Sequence, residues 1–300
     1  MKHKKLVLKI IGVALVLAST LFWISRVDGM ITEELEEASE CVILEDAWDI
    51  TINETVYPNV LLTEFRFPAV RKGDRITMQC VLPSDWEPVE GALRFYVRHN
   101  AVRMYIDGNQ IYDYGFDRLA AGKSLGSGYQ FVKFPNEYKG RTLRIELVMA
   151  EDKVFTKLDS VRIYEWENAY RLIATEGRLP LFCGSFLILF GLIVCGITAV
   201  ALIFSVKYVR LFCISVFSVS MGLWTLSYYN IMQIFTIPLY SVSLINYLAL
   251  YLAPIPLTVY IRKEVENLEN RILKIFYWSF LIAEVTAVCA AILLHAFDIV

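Results

Sequence analysis

"VRMYIDGNQIYDYG", residues 102–115, is the stretch whose reading decides the fold. Val102, Met104 and Ile106 alternate with Arg103 and Tyr105, the period of a strand with one face in a core and the other in water. Asp107, Gly108 and Asn109 follow as a turn, because these residue types tolerate positive φ, and Ile111 begins a return strand. The same alternation recurs in "WDITI" (48–52), "LRFYV" (93–97), "LRIEL" (143–147) and "VRIY" (161–164). Turn signals separate these runs: "RKGD", "LPSDWEP", "RHNA", "GSG" and "PNEYKG". Many short alternating strands imply an antiparallel sandwich or jelly roll, placed at residues 48–166 with no helix expected between Trp48 and Tyr164. At about 120 residues the domain is long enough to bury its own core.

Outward from this domain the composition changes. The chain has 300 residues, 56% hydrophobic and 20% charged, an average that mixes a soluble domain with strongly apolar flanks. A net charge of −2 gives no basic footprint, which excludes nucleic acid as a partner class. Upstream, Leu6 to Ile24 is apolar and long enough to cross a bilayer behind Lys2, Lys4 and Lys5, with Lys9 close enough to the inner face to snorkel. A cleaved signal peptide starts the same way, but "WISRVDGM" offers no small-x-small site, so residues 1–26 are read as a cytoplasmic tip and uncleaved signal anchor. Residues 27–47, acidic in "ITEELEEASE", are read as a stalk, and 167–178 as a juxtamembrane linker.

Downstream, residues 179–300 are read as a helical bundle with spans near 179–204, 211–235, 239–261 and 274–297. Lys207 and Arg210 lie in one connecting loop, and Arg262, Lys263, Arg271 and Lys274 in another, whereas the loop between them has no Lys or Arg. The bias of basic residues toward the cytoplasm then puts the N-terminus inside and residues 27–178 outside a plasma membrane, with the lipid bilayer as the first partner. The fold class is therefore mixed: a signal-anchor helix, an extracytoplasmic all-β domain and a transmembrane α-helical bundle.

The run "VRMYIDGNQIYDYG" followed by "GYQFVKFPNEYKGRTLRIELVM" resembles the galactose-binding-like jelly roll. The segment "IYEWENAYRLIATEGRLPLFCGSFLILFGLIVCGI" is similar to the junction in bacterial seven-transmembrane receptors with diverse intracellular signalling modules. The resemblance implies a sensor whose outer β domain takes an extracytoplasmic ligand, a carbohydrate or a small anion. It also implies a homodimer, and an output such as a GGDEF diguanylate cyclase or a histidine kinase. Here only four spans follow the β domain against seven in the family, and no GGDEF-like string or kinase box occurs. The resemblance thus implies the sensory half of a receptor. A transporter or membrane enzyme subunit with a substrate-recruiting outer domain is the alternative, though no internal repeat supports it.

No P-loop, HExxH or CxxC motif is present, and His3, His99 and His295 fall in three different compartments, so no enzyme activity, cofactor or metal is expected. For ligand binding, Arg94, Tyr96, Arg98, Arg103 and Tyr105 share the outward phase of "LRFYVRHNAVRMY", where rings stack on sugars and guanidinium groups donate in a fork. A plain solvated sheet face is the competing reading, and Trp86 and the loop "GFDRLAAGKSLGSGY" are rival locations. Cys41 and Cys80, both outside, can form a disulfide or remain ordinary thiols, and the other cysteines read as packing residues. Within the spans, Glu284 is an intramembrane carboxylate for which Asn246 or a serine is a fitting partner. Pro254 and Pro256 should kink their span into a candidate hinge.

Overall fold

The computed structural model describes residues 41–85, 90–153, 161–169, 171–235, 237–262, 265 and 271–296. The signal anchor, residues 27–40 of the stalk and Trp86 lie outside the described residues. Two units divide the chain, residues 1–41 and 42–300, and everything below concerns the second except for Cys41 itself.

The alternating segments form strands β1 (Cys41–Leu44), β2 (Trp48–Ile52), β3 (Thr55–Val60), β4 (Arg75–Val81), β5 (Gly91–Arg98), β6 (Asn100–Ile106), β7 (Asn109–Tyr114), β8 (Ser127–Lys133), β9 (Thr142–Met149) and β10 (Val161–Glu165). They make two facing sheets, one ordered β1-β10-β5-β8 and one ordered β3-β2-β4-β9-β6-β7. Every register described among β2 to β10 is antiparallel. The chain changes sheet at β1–β2, β4–β5, β5–β6, β7–β8, β8–β9 and β9–β10, a jelly-roll habit. Period-two patterning sets the core: Leu93, Phe95 and Val97 from one sheet face Val102, Met104, Leu143, Ile145 and Leu147 from the other, all at most 1% exposed. Trp48 is fully buried and donates its indole N–H to the Leu44 carbonyl at 3.0 Å.

The opening hairpin forms as read. Ile106 pairs with Asn109, so the loop is the two residues Asp107 and Gly108 at φ 47° and 82°, the left-handed pair that a tight hairpin needs. Two expectations change. Cys41–Leu44, read as stalk, is an edge strand, because apolar "CVIL" has a sheet to join. A single helical turn, α1 (Phe116–Ala120), interrupts the all-β stretch where no helix was expected.

The "RKGD" turn is closed by side chains. Asp74 accepts the backbone N–H of Arg71 at 2.7 Å and the Asn53 amide at 3.1 Å, while Asn53 accepts the N–H of Arg75 at 3.0 Å. The Arg71 backbone bond, then the Asn53 amide, hold the Asp74 carboxyl below its usual 3.8. Asp74→Ala should therefore lower stability by about 1 kcal/mol. Because the folded pKa is the lower one, that contribution is complete above the unfolded value of 3.8 and is lost as pH falls through the folded value. Acid titration of wild type against Asp74→Ala, followed by circular dichroism, should show the two stabilities converging at low pH.

Two short helices, α2 (Trp166–Ala169) and α3 (Arg171–Glu176), lead into the bundle helices α4 (Arg178–Phe204), α5 (Val209–Tyr228), α6 (Leu239–Leu252), α7 (Pro254–Tyr260) and α8 (Arg271–Ala296). Among the described residues four stretches are long and apolar enough to cross a membrane: Arg178–Phe204, Val206–Tyr228, Leu239–Tyr260 and Arg271–Leu293. The chain is thus a β-sandwich followed by a multi-pass membrane bundle. Many large apolar side chains on α4 and α8, Phe186 and Phe276 among them, are more than half exposed, as lipid-facing surfaces are. Helices α4 and α5 pack closely through Gly184, Gly191 and Gly222. The run read as 211–235 ends as an α-helix at Tyr228, and Ile231–Phe235 forms a separate 3-10 turn.

Candidate functional site

The seam between sandwich and bundle starts at the outer face of the four-stranded sheet. On β5 the strict alternation fails, because Arg94 is only 5% exposed. Its guanidinium donates to both oxygens of Glu176, at the end of α3, at 2.9 and 2.6 Å. The same group lies 4.0 Å from the centre of the Tyr129 ring, with Tyr164 at 5.9 Å. Burial by itself would pull the Arg94 pKa down, but the hydrogen bond and charge of Glu176 outweigh it and hold the guanidinium charged. Tyr96 packs edge-on against Tyr129 at 5.1 Å, and Arg98 lies over Tyr96. Alongside, Lys133 pairs with Glu90 at 2.7 Å, and the Trp166 N–H bonds the Glu90 carbonyl at 3.0 Å.

The second part of the seam is the free edge of β8. An edge strand exposes unpaired N–H and C=O groups. Here Gln233, 7% exposed in the 3-10 turn, accepts the N–H of Tyr129 at 3.1 Å and donates to the Tyr129 carbonyl at 2.8 Å. One side-chain amide thus satisfies both backbone groups, as a neighbouring strand residue would. Ser243 on α6 accepts the N–H of Ser127 at 3.0 Å. Sequence reasoning missed Gln233 and Glu176. The signal for Gln233 was a lone amide in the otherwise apolar "IMQIF" (231–235).

The shared outward face of Arg94, Tyr96, Arg98, Arg103 and Tyr105 does not exist as one surface. Strands β5 and β6 belong to different sheets, so the chain turns at His99 (φ 50°) and the two halves look out from opposite sides of the sandwich. On the six-stranded sheet Arg103 pairs with Asp113 at 2.6 Å and covers the Phe116 ring at 3.7 Å. Tyr105 donates to Glu146 at 3.3 Å beneath the Arg144 guanidinium. These are cross-strand contacts of a half-exposed sheet face. The rival loop folds as α1 and its return: Arg118 donates to the Ser124 carbonyl at 2.9 Å and lies 3.8 Å over the Tyr240 ring of α6, while the Tyr114 hydroxyl donates to the Leu125 carbonyl.

Cys41 and Cys80 are free thiols, so the pairing open to them is not made. Burial pushes the Cys80 thiol up to about 12, which keeps it protonated and unreactive. Among the described residues no group of three or more His, Cys, Asp or Glu gathers to hold a metal. In the bundle, Glu284 takes its hydrogen bond from Thr258 at 3.0 Å rather than from Asn246, which instead accepts from Ser227 at 3.4 Å. The Tyr277 hydroxyl donates to the Thr258 carbonyl at 3.0 Å, and Glu284 Oε1 is buried with no hydrogen-bond partner among the described residues. Thr258 lies in α7, which begins at Pro254 where α6 is interrupted, so the polar contact and the proline break adjoin.

A cleft of about 290 Å³ opens beside the seam, between the sandwich corner at His99 and Glu151 and helices α6 and α8. His99 Nδ1 is 3.1 Å from a Glu151 oxygen.

No family model matches the chain, and no curated protein matches it in sequence. Among solved structures the chain is similar to a β-glucuronidase from Ruminococcus gnavus in complex with N1-substituted uronic isofagomine, at 11% identity and TM-score 0.27, over 42% of this chain and 30% of that one. It is also similar to a family 35 carbohydrate-binding module from Clostridium thermocellum, at 14% identity and TM-score 0.24, over 42% of this chain and 98% of the module. A carbohydrate-binding module specific for non-crystalline cellulose matches at 18% identity and TM-score 0.16, over 39% of this chain and 83% of that one. The chain therefore spans less than a third of the length of the glucuronidase.

Proposed function

We propose that this chain is the sensory part of a membrane receptor. Its sandwich receives a carbohydrate or small anionic ligand outside the cell and passes the change through the seam into the helical bundle. The basic loops and the N-terminus lie in the cytoplasm in this reading, and the output served is a diguanylate cyclase or a histidine kinase. The chain itself binds and relays, with no catalytic step. One observation carries the reading: Gln233, between two bundle helices, completes the hydrogen bonding of an edge strand of the sandwich. A recruiting module needs only a tether, whereas a relay needs a fixed mechanical joint. Because Arg94 is buried beneath its pair with Glu176 whereas Arg103, though paired with Asp113, stays 36% exposed, the ligand is received elsewhere, on the Arg103–Tyr105 face or near Trp86.

Hydrogen exchange on the full chain in nanodiscs, with neutral and acidic oligosaccharides as probes, tests the reading. A bound oligosaccharide is expected to change protection in the sandwich and also in residues 231–235 and 239–252. Gln233→Ala should keep the first change and lose the second. Protection confined to the sandwich in the wild-type protein would sink the relay and leave a recruiting module.

A further inference from the structure

The cleft beside the seam has two chemically distinct ends. Its wall is Tyr240, Leu244, Tyr247, Leu248 and Tyr251 of α6, closed by Ala291 of α8. Tyr240 and Tyr251 are eleven positions apart, so the wall runs roughly 16 Å along the helix axis into the bundle. These helices belong to stretches apolar enough to cross a membrane, so the wall leads from the sandwich toward bilayer depth. The mouth is polar: His99 and Glu151 from the sandwich corner, with the hydroxyls of Ser124 and Ser243. A site with an aqueous mouth and an apolar shaft fits an amphiphile rather than a soluble sugar.

Charge at the mouth selects the head group. Glu151, 48% exposed on its side chain, presents a carboxylate that repels an anion. Arg118 stacks on Tyr240 and donates to the Ser124 carbonyl, so a guanidinium stands behind two of the lining residues and repels a cation. Either formal charge meets a like charge, whereas hydroxyl groups find acceptors and donors on Glu151, Ser124 and Ser243. We propose that this cleft is a binding site for a single-chain amphiphile with an uncharged, hydroxylated head group, its hydrocarbon chain along the tyrosine wall of α6. The site stands whether or not the sandwich relays a signal, since it needs only the cleft and the adjoining bilayer.

The test uses the full chain in phosphatidylcholine nanodiscs and a monoacylglycerol carrying a photoactivatable diazirine in its chain. Labelling is expected to saturate, to be competed by unlabelled monoacylglycerol, and to map to residues 239–252 and the neighbourhood of Ala291. Ala291→Trp and Leu244→Trp, which fill the shaft from two different helices, should each abolish that labelling. Glu151→Ala should weaken it about tenfold, the effect of losing one hydrogen bond to a charged group. Fatty-acid and alkyltrimethylammonium probes of the same length should label these residues weakly. Label that never saturates and spreads over Phe182, Phe186 and Phe190 of α4 would reduce the cleft to ordinary lipid contact. Equal labelling by a charged probe would overturn the head-group assignment.

Discussion

Glu176→Ala should destabilise the joint between sandwich and bundle by about 2 kcal/mol, and Arg94→Met should cost less. The asymmetry follows from where the two charges sit. Arg94 is 5% exposed on its side chain and Glu176 46%. Without Glu176, the guanidinium is left buried between the Tyr129 and Tyr164 rings with no opposite charge, and a buried unpaired charge is the most expensive outcome. Full burial of both partners would make the loss about 3–5 kcal/mol, but water already reaches one side of this carboxylate, which reduces it. Without Arg94, Glu176 turns to solvent at little cost, and methionine refills most of the space against Tyr129 and Tyr164. Thermal unfolding of the full chain in detergent should show the Glu176→Ala midpoint falling by roughly 5 °C. The double variant Arg94→Met/Glu176→Gln should lie closer to wild type than Glu176→Ala alone. A larger loss from Arg94→Met than from Glu176→Ala would mean that packing, not the charge, holds this part of the seam.

Arg94 also marks the boundary of what the sequence could tell. Its phase on β5 was legible: Leu93, Phe95 and Val97 point to the core, and Arg94 points the other way. What covers the other side is decided by α3 and Ile231–Phe235, segments that meet β5 only through tertiary packing. The aromatic density of that face was a signal, since Tyr96, Tyr129, Phe131 and Tyr164 are more than a water-facing sheet requires. The hairpin of β6 and β7 was legible because its determinants are local: period two and an Asp-Gly turn. Sheet membership was not. Strands β5 and β6 are separated by His99 alone, and alternation gives the same phase whether the chain doubles back within a sheet or crosses to the facing one. Arg103 and Tyr105 were therefore grouped with residues on the opposite side of the sandwich. In the bundle, hydrophobicity located each long helix. The end of the fifth helix is not legible because the apolar residues Ile231 and Met232 are buried, and Ile234 partly buried, against protein rather than lipid, and hydropathy does not distinguish the two.

Gly126→Val should open the seam while leaving the sandwich core intact. Gly126 precedes β8 at φ 75°, and a Cβ there would meet the Leu239 carbonyl oxygen and stand 2.6 Å from the Tyr240 nitrogen. Both are backbone atoms at the start of α6, so no rotamer change relieves the contact. Strand and helix must separate, and with them go the bonds from Ser127 to Ser243 and from Tyr129 to Gln233. The left-handed torsion alone costs about 1–2 kcal/mol for a residue with a Cβ. Gly108 measures that part by itself, because it has φ 82° and nothing within 4 Å of the added Cβ. Gly108→Val should thus show the torsional penalty only, with the seam closed. Gly126→Val should exceed it by at least about 2 kcal/mol, the lost hydrogen bonds setting the scale. Amide exchange separates the two cases. In Gly126→Val the Ser127 and Tyr129 amides should lose protection while those of β9 at the sandwich centre keep theirs. Equal penalties for the two variants would show that α6 and β8 slide past one another freely, and a joint that slides cannot transmit a displacement from the sandwich to the bundle.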